Sequence, residues 1–196
     1  ILDMYGGEGG ISAFECKKHE GYHTGIDWGV FEIIKITDDH ITETSEEQIG
    51  RVVGTDLHNK VMPMIRYEIG DLARPAANTK CSCGRGLPLI RSIEGRYSNS
   101  INWKEHLITE NNIDKILNEG FSREGRISSD KIQLIFDKST IELRFAKKVD
   151  FSDSLKVRLS DSIQEYTGIK VKSTDKEFLK TKSEKRFLII DKNHAH

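Results

Sequence analysis

The spacing of apolar residues changes near Gly95 and Arg96, and this change divides the chain into two parts with different folds. Before it, β-branched and aromatic residues form short runs separated by glycines, which is typical of strands joined by tight turns. The clearest runs are 31–36, 49–57 and 63–72, and the last begins with a proline, where a missing backbone donor costs least. We therefore predict that the first part is rich in β-strands.

Apolar residues of the second part recur at helical spacing in two segments and alternate in two others. The helical spacing predicts helices over residues 110–119 and 155–166. Alternation predicts strands over 132–136 and 141–145, joined by a hairpin turn, and a further strand over 169–171. The residues expected at the ends of the helices are Ser152 or Asp153, Gly120 and Gly168. This content is typical of a small α+β domain, so we predict an α+β fold class.

Charge and hydropathy exclude two classes of partner. The 196 residues include 30 Lys and Arg against 31 Asp and Glu, which leaves no basic excess for binding a phosphate backbone. No run approaches the ~18–20 apolar residues that span a bilayer, and the chain does not start with a secretory pattern. We expect a cytoplasmic protein that binds neither nucleic acid nor membranes.

The first ten residues contain four glycines within positions 6–10, directly after a short apolar run. This pattern predicts a strand that turns into a functional loop. A natural domain seldom begins at such a point, so we expect the chain to be the later part of a longer protein.

The three cysteines form a candidate metal site. Cys81 and Cys83 are separated by one residue, a spacing poorly suited to a mutual disulfide, but a loop can bring both thiolates to one ion. Cys16 and a histidine from an earlier loop, His19 or His23, would complete a tetrahedral set of the type that binds structural zinc. The alternative is three unrelated buried cysteines.

A second candidate site lies at the end of the run that contains Arg66 and Tyr67. The chain can bend at Gly70, and Asp71 then presents a carboxylate at the end of the strand. A carboxylate there suits hydrogen bonding to paired hydroxyls such as those of a ribose. The alternative is an aspartate that caps a turn.

These features belong to a longer series of motifs. In chain order they are Tyr5-Gly6-x-Glu8, Pro63 through Asp71, Cys81-x-Cys83-Gly-Arg, Gly95-Arg96, and a lysine within Thr181-Lys182-Ser183-Glu184-Lys185. The series resembles the adenylate-forming (acyl-CoA synthetase-like) superfamily. It resembles in particular the branch that holds phenylacetate–CoA ligase, coenzyme F390 synthetase and CapK-like proteins. Segments similar to the same branch are Glu15-Cys16, Gly21-Tyr22-His23 and Phe31 to Ile34.

The resemblance implies both a fold and an activity. Residues 1–96 would be the C-terminal, β-rich part of a large AMP-binding domain, and residues 97–196 a small mobile domain that carries the catalytic lysine. The enzyme, a ligase, would use ATP to convert a carboxylic acid into an acyl-adenylate and then transfer the acyl group. Its partners are then a nucleotide, a small-molecule carboxylate and the N-terminal part of the same enzyme, with a homodimer as one open alternative. This chain alone is expected to be inactive.

The resemblance also implies roles for four nucleotide-binding residues. Tyr5 and Gly6 match the motif whose aromatic residue and backbone line the adenine and acyl-phosphate site. Asp71 matches the carboxylate that binds both ribose hydroxyls, and Arg96 matches the arginine that reaches the ribose or a phosphate. The implied cofactor is therefore ATP, bound as AMP in the intermediate.

Two further positions match catalytic residues of the superfamily. Glu8 matches the carboxylate that helps to hold Mg²⁺, and Lys185 matches a mobile lysine that bridges the substrate carboxylate and the α-phosphate. Joining two anions requires charge neutralisation, which an ammonium group and Mg²⁺ supply. Without the resemblance, a lysine in such a Lys-rich segment would be interpreted as a solvated charge.

The resemblance implies a structural zinc in the region of the cysteines, which several relatives in the branch carry. The Gly-x-His pattern favours His23 over His19, so the implied ligands are Cys16, His23, Cys81 and Cys83. Four protein ligands leave no open position on the ion, which is typical of a structural site.

The chain departs from the pattern at a few positions. Ser98 and Asn99 occupy the hinge, where relatives carry acidic residues, and Glu184 replaces the glycine before the catalytic lysine. Glu105 and Thr109 stand where CoA ligases of the branch have a glycine and a proline. These differences leave CoA open as the acceptor. The alternatives are an adenylating enzyme with a non-CoA acceptor and a catalytically silent, zinc-bearing scaffold.

Overall fold

The chain consists of two compact units, Ile1–Ser98 and Asn99–His196. The computed structural model describes residues 2–36, 41–44, 48–76, 81–103, 106–119, 131–137, 139–147, 150–179 and 189–192. Within these ranges, neither the length nor the apolar content of any helix is sufficient for it to cross a membrane.

The described residues of the first unit form an eight-stranded sheet in which every pair of neighbouring strands is antiparallel. The strands are β1 (Met4–Gly7), β2 (Ile11–Glu15), β3 (Tyr22–Thr24), β4 (Gly29–Ile36), β5 (Ile41–Glu43), β6 (Gly50–Asp56), β7 (Tyr67–Pro75) and β8 (Leu89–Arg96). Their order in the sheet is β1-β2-β3-β8-β7-β6-β4-β5. A short 3₁₀ turn over Tyr97–Asn99 follows β8.

The sheet curls so that β2 lies against β6, although the two strands are not hydrogen-bonded neighbours. A Cβ atom on Gly54 would lie 2.5 Å from Cγ1 of Ile11 and 2.7 Å from the carbonyl oxygen of Gly9. Position 54 therefore has no room for a side chain, and glycine allows the two backbones to approach. The core of the unit includes the buried residues Ile11, Ala13, Val52, Ala73 and Ile90.

The predicted strand over 63–72 is wrong at its start, because β7 begins only at Tyr67 and continues to Pro75. Side chains compete with strand pairing in the preceding segment. Asp56 accepts hydrogen bonds from the backbone N–H groups of the second and third residues after it, and Asn59 does the same. Arg66 has a φ of 49°, in the left-handed region, which also ends regular extension.

The second unit contains two helices and two sheets in its described residues. In chain order its elements are β9 (Ile101–Trp103), β10 (His106–Ile108), α1 (Glu110–Glu119), β11 (Ile132–Asp137), β12 (Thr140–Phe145), α2 (Asp153–Thr167), β13 (Lys170–Thr174) and β14 (Ile189–Asp191). β9 and β10 form a ribbon, and the other strands form a sheet in the order β13-β12-β11-β14. The central pair is antiparallel and the outer strands are parallel to their neighbours. The predicted helices and hairpin are confirmed, while β9, β10 and β14 were not predicted.

Local signals explain the ends of α2. The Ser152 hydroxyl accepts a hydrogen bond from the backbone N–H of Leu155, so Ser152 rather than Asp153 is the N-cap. Gly168 has a φ of 65°, the left-handed C-cap conformation that favours glycine. The predicted end of α1, Gly120, lies outside the described residues.

Both faces of the central strands in the second unit are covered. Alternate residues of β11 and β12 face the helices and build the core, including Leu134, Phe136 and Leu143. On the other face, the side-chain amide of Gln133 exchanges two hydrogen bonds with the backbone of Leu179, at 3.0 and 2.7 Å. The second unit is thus a sheet between helices on one side and the 175–179 segment on the other.

Candidate nucleotide site and metal centre

An irregularity in β7 determines where Asp71 lies. Arg51 of β6 pairs with Leu72 and Val53 pairs with Glu68, so β7 carries two extra residues between these pairs. Gly70 lies in this bulge with a φ of 81°, a conformation that glycine adopts without steric cost. The bulge brings Asp71 opposite Arg96, its register partner on β8.

The Asp71 carboxylate is held from two directions. Nε of Arg96 lies 3.0 Å from Oδ1, and the Tyr5 hydroxyl donates to Oδ2 at 2.7 Å. Nη1 of Arg96 also donates to the carbonyl oxygen of Ile69 at 2.9 Å. The side chain of Asp71 is 14% exposed and that of Arg96 is 61% exposed. The carboxylate is therefore set into the surface, with the guanidinium open to solvent beside it.

Tyr5 remains a hydrogen-bond donor in this arrangement. Burial, together with the hydrogen bond to Asp71 and the negative charge of that residue, raises the pKa of the Tyr5 phenol far above its ordinary value. The hydroxyl keeps its proton at every physiological pH.

The other predicted nucleotide and catalytic residues are placed differently. Gly6 follows Tyr5 on β1 and pairs with Ser12. Glu8 is exposed in the turn between β1 and β2, and within the described residues it makes no hydrogen bond or ion pair with Tyr5, Asp71 or Arg96. Lys185 lies outside the described residues.

The four predicted metal ligands converge at the opposite end of β8. Cys16 directly follows β2, His23 is on β3, and Cys81 and Cys83 precede β8. Their donor atoms all lie within 4.8 Å of one another. Sγ of Cys16 is 3.2 Å from Sγ of Cys81, and Sγ of Cys83 is 3.2 Å from Nε2 of His23. A zinc tetrahedron with Zn–S bonds of ~2.3 Å has edges of about 3.8 Å, so this group could hold zinc.

Backbone groups around the cluster suit metal-bound thiolates. The N–H groups of Lys18 and Arg85 donate to Sγ of Cys16 and Cys83, each two residues earlier, at 3.3 and 3.4 Å. Nδ1 of His23 lies 3.3 Å from a backbone carbonyl oxygen, which leaves Nε2 free to face the thiols. Such bonds orient ligands before any ion arrives.

The pKa values of the Cys16 and Cys81 thiols are shifted in opposite directions. Burial opposes ionisation of Cys16, but hydrogen bonds from the Lys18 N–H and from Cys81 outweigh it and lower the pKa to about 6. The N–H of Cys83 favours the Cys81 thiolate, but burial and hydrogen bonds to Cys16 and Glu20 raise the pKa of Cys81 to about 12. Cys16 is therefore the thiol of this pair that ionises more readily.

The competing histidine is not part of this cluster. Nδ1 of His19 lies 2.7 Å from Oε1 of Glu15, and the side chain of His19 is 65% exposed. The geometry therefore brings His23, and not His19, to the three cysteines.

Comparisons with known proteins identify the fold. No family model and no curated protein matches the chain. Among solved structures, it is similar to 2-hydroxyisobutyryl-CoA ligase in the postadenylation state in complex with R3-HIB-AMP, with a TM-score of 0.65, 19% identity and coverage of 97% of this chain and 42% of that one. The fold is that of adenylate-forming ligases.

Two more distant ligases share this fold. The anthranilate CoA ligase AuaEII in complex with anthranoyl-AMP has a TM-score of 0.53 at 12% identity, over 95% of this chain and 38% of that one. GH3.15 acyl acid amido synthetase has a TM-score of 0.50 at 14% identity, over 84% of this chain and 31% of that one. The chain thus spans less than half the length of each ligase, and at these identities the likeness establishes the fold.

Within this ligase fold, the sequence patterns missed two carboxylates. Glu94 is 1% exposed, accepts a hydrogen bond from the Ser92 hydroxyl at 2.6 Å and lies 3.4 Å from Nε of Arg74. It falls at a bulge in β8, two residues before Arg96. Glu20 accepts hydrogen bonds from the backbone N–H and the hydroxyl of Ser82, beside the metal cluster. Neither carboxylate had a clear sequence signal, because Glu94 lies in a strand of mixed polarity and Glu20 is one of several loop charges.

Proposed function

We propose that this chain is part of an adenylate-forming ligase, which activates a carboxylic acid with ATP to an acyl-adenylate and then transfers the acyl group. The observation that carries the proposal is the Asp71 carboxylate, inset between the Tyr5 hydroxyl and Arg96. It occurs in a fold shared with ligases whose structures contain acyl-adenylates.

In this proposal Asp71 binds the ribose of the nucleotide and Arg96 carries positive charge beside it. The guanidinium already contacts one carboxylate oxygen, and its exposed side faces solvent, where a ribose or phosphate oxygen can be reached. Gly6, next to Tyr5 on β1, has a hydrogen atom in place of a side chain where the nucleotide would approach the backbone.

Glu8 and Lys185 are the proposed catalytic residues. Glu8 offers an exposed carboxylate oxygen, the ligand type that Mg²⁺ prefers, and bound Mg²⁺ would supply charge neutralisation for the phosphates. Lys185 would neutralise the substrate carboxylate and the α-phosphate as they approach. Residues 97–196 would form the mobile domain that carries this lysine.

The phenylacetate–CoA ligase branch is the proposed subfamily, with CoA as the first candidate acceptor. The similarity to CoA ligases favours a thioester product. The similarity to an acyl acid amido synthetase favours the alternative, a non-CoA acceptor such as an amine. Either acceptor attacks the same acyl-adenylate.

We further propose a structural Zn²⁺ on Cys16, His23, Cys81 and Cys83. The supporting observation is that four donors of the right chemistry lie within 4.8 Å of one another, although two come from residues 16–23 and two from residues 81–83. Because all four positions of a tetrahedral ion would be filled by protein, this zinc stabilises the sheet and takes no part in catalysis.

Carboxylate-dependent exchange of labelled pyrophosphate into ATP tests the proposed reaction. The full-length protein is assayed with a panel of carboxylic acids, beside Lys185→Ala and a matched control, Lys182→Ala, in the same segment. We expect exchange with at least one acid, a loss of roughly 10²-fold or more in Lys185→Ala, and near-normal exchange in Lys182→Ala. Equal rates for the two variants would remove Lys185 from the mechanism. A folded wild type without exchange for any acid would favour the scaffold alternative.

A further inference from the structure

The contact between Tyr5 and Asp71 is a product of the curled sheet. Tyr5 is on β1 and Asp71 on β7, strands that are not neighbours in the sheet order. The close approach at Gly54 allows the β1–β2 hairpin to lie against β6, the neighbour of β7. The Tyr5 hydroxyl then reaches Oδ2 of Asp71 at 2.7 Å, over a sequence separation of 66 residues.

The phenol ring is fixed by packing. Its centroid lies 6.3 Å from that of Phe31 in an edge-to-face arrangement, and the ring packs against the core of the first unit. Packing of the ring thus fixes the position of the hydroxyl. The hydroxyl keeps its proton because burial and the neighbouring carboxylate raise the pKa of Tyr5.

The hydrogen-bond capacity of Asp71 matches a vicinal diol. An ionised carboxylate can accept about four hydrogen bonds, two at each oxygen. Among the described residues, Nε of Arg96 forms an ion pair with Oδ1 at 3.0 Å, and Tyr5 donates one hydrogen bond to Oδ2. At least one acceptor position therefore remains on each oxygen, and the 2′- and 3′-hydroxyls of a ribose offer two donors.

We propose that Tyr5 is a positioning residue, whose hydroxyl orients Asp71 so that both carboxylate oxygens accept from a ribose, and that it thereby sets the preference for ribonucleotides over deoxyribonucleotides. This inference rests on the proposed function. The Tyr5 hydroxyl then has a role separate from that of its ring, because the ring of a phenylalanine would line an adenine pocket equally well.

Tyr5→Phe tests the inference in the full-length protein by removing one oxygen atom. Titration calorimetry measures the affinities for AMP, 2′-deoxy-AMP and 3′-deoxy-AMP. We expect the variant to bind AMP roughly tenfold more weakly, and the two deoxynucleotides with a smaller loss, so that the preference for AMP shrinks. In the exchange assay, KM for ATP should rise while kcat changes little, because the ribose contact is uniform between ground and transition states.

Tyr22→Phe is the matched control. The Tyr22 hydroxyl donates to Oδ2 of Asp3 at 2.9 Å in the same sheet, so the variant loses an equivalent hydrogen bond away from Asp71. We expect it to keep the affinities and the ribose preference of the wild type. The ratio of two affinities measured on one sample also cancels any unfolded fraction, so a loss of stability cannot imitate the result.

The outcomes separate the inference from the proposed function. A Tyr5→Phe variant with the AMP affinity and ribose preference of the wild type overturns the inference and leaves the proposed function standing. A wild type that neither binds AMP nor exchanges pyrophosphate overturns the proposed function, and the inference with it.

Discussion

The two units of this chain are stabilised in different ways. In the described part of the second unit, fifteen buried apolar residues form one core cluster, whereas the corresponding cluster of the first unit contains five. The first unit instead holds the four-residue Cys and His group and, within the described ranges of the chain, both non-glycine residues with positive φ, His19 and Arg66. Irregular backbone and polar constellations occur together there, as expected where a fold is shaped for binding. The difference suggests that the first unit depends on polar cross-links and the second on apolar packing.

The strongest test of this comparison is removal of the proposed zinc. We expect one zinc per chain by elemental analysis, and its loss in a Cys81→Ser, Cys83→Ser variant should unfold the first unit. Leu143→Ala, in the core of the second unit, should cost about 2–5 kcal/mol without loss of metal. His19→Ala is the control within the same loop and should keep the metal. A stable wild type that contains no metal would contradict the proposed site and remove the contrast.

The second unit also contains a carboxylate, Glu142, whose contribution to the free energy of unfolding depends on pH. The Arg144 guanidinium, with Thr174 and Lys176, outweighs burial and lowers the pKa of Glu142 from 4.5 to about 2. A lowered folded-state pKa adds stability that is complete above the unfolded value, near pH 4.5, and is lost as the pH falls through about 2.

We therefore expect the second unit to lose up to about 3 kcal/mol of unfolding free energy between pH 5 and pH 2 through this residue. Urea unfolding at several pH values checks this, with Glu142→Gln expected to flatten the dependence. Glu177→Gln, in an exposed ion pair with Lys147, is the control and should behave like the wild type. If Glu142→Gln is as acid-sensitive as the wild type, then packing alone stabilises the second unit.

The smallest expected effect concerns backbone geometry in the first unit. Gly70→Ala places a side chain at a φ of 81° and should cost about 1 kcal/mol, with weaker AMP binding because Asp71 is the next residue. Gly86→Ala is the control, because a Cβ atom there meets no described atom within 4 Å. Thermal unfolding and AMP titration compare the two variants, and equal effects would show that the bulge does not position Asp71.

Local patterns predicted the second unit better than the first. The ends of α2 follow from Ser152 and Gly168, and the β11–β12 hairpin from alternation, because these signals act between residues close in sequence. The strand β14 lies in a short apolar run, but its parallel pairing with β11, more than 50 residues earlier, has no local signal. Parallel pairing of this kind is set by tertiary packing.

The candidate sites show the same division between local and distant information. Residue type and spacing predicted a cluster of the three cysteines with His19 or His23, and the family resemblance favoured His23. The structure brings His23 to the cysteines. The hydrogen bond from Tyr5 to Asp71 could not be predicted, because it requires the curl of the sheet at Gly54. The role of Lys185 stays a prediction.

The order of strands in the first unit has a consequence for folding during synthesis. β3 pairs with β8, so that Tyr22 lies opposite Ile90, and the β1–β3 segment has to wait for β8 before it can join the sheet. Contacts this distant in sequence slow folding, because a long loop must close before they form. The Cys16–Cys81 contact joins the same two parts of the chain, the β1–β3 segment and the segment before β8, over a separation of 65 residues. An ion captured there would close that loop early, so availability of metal in the cell would influence how much of the newly made chain folds before it aggregates.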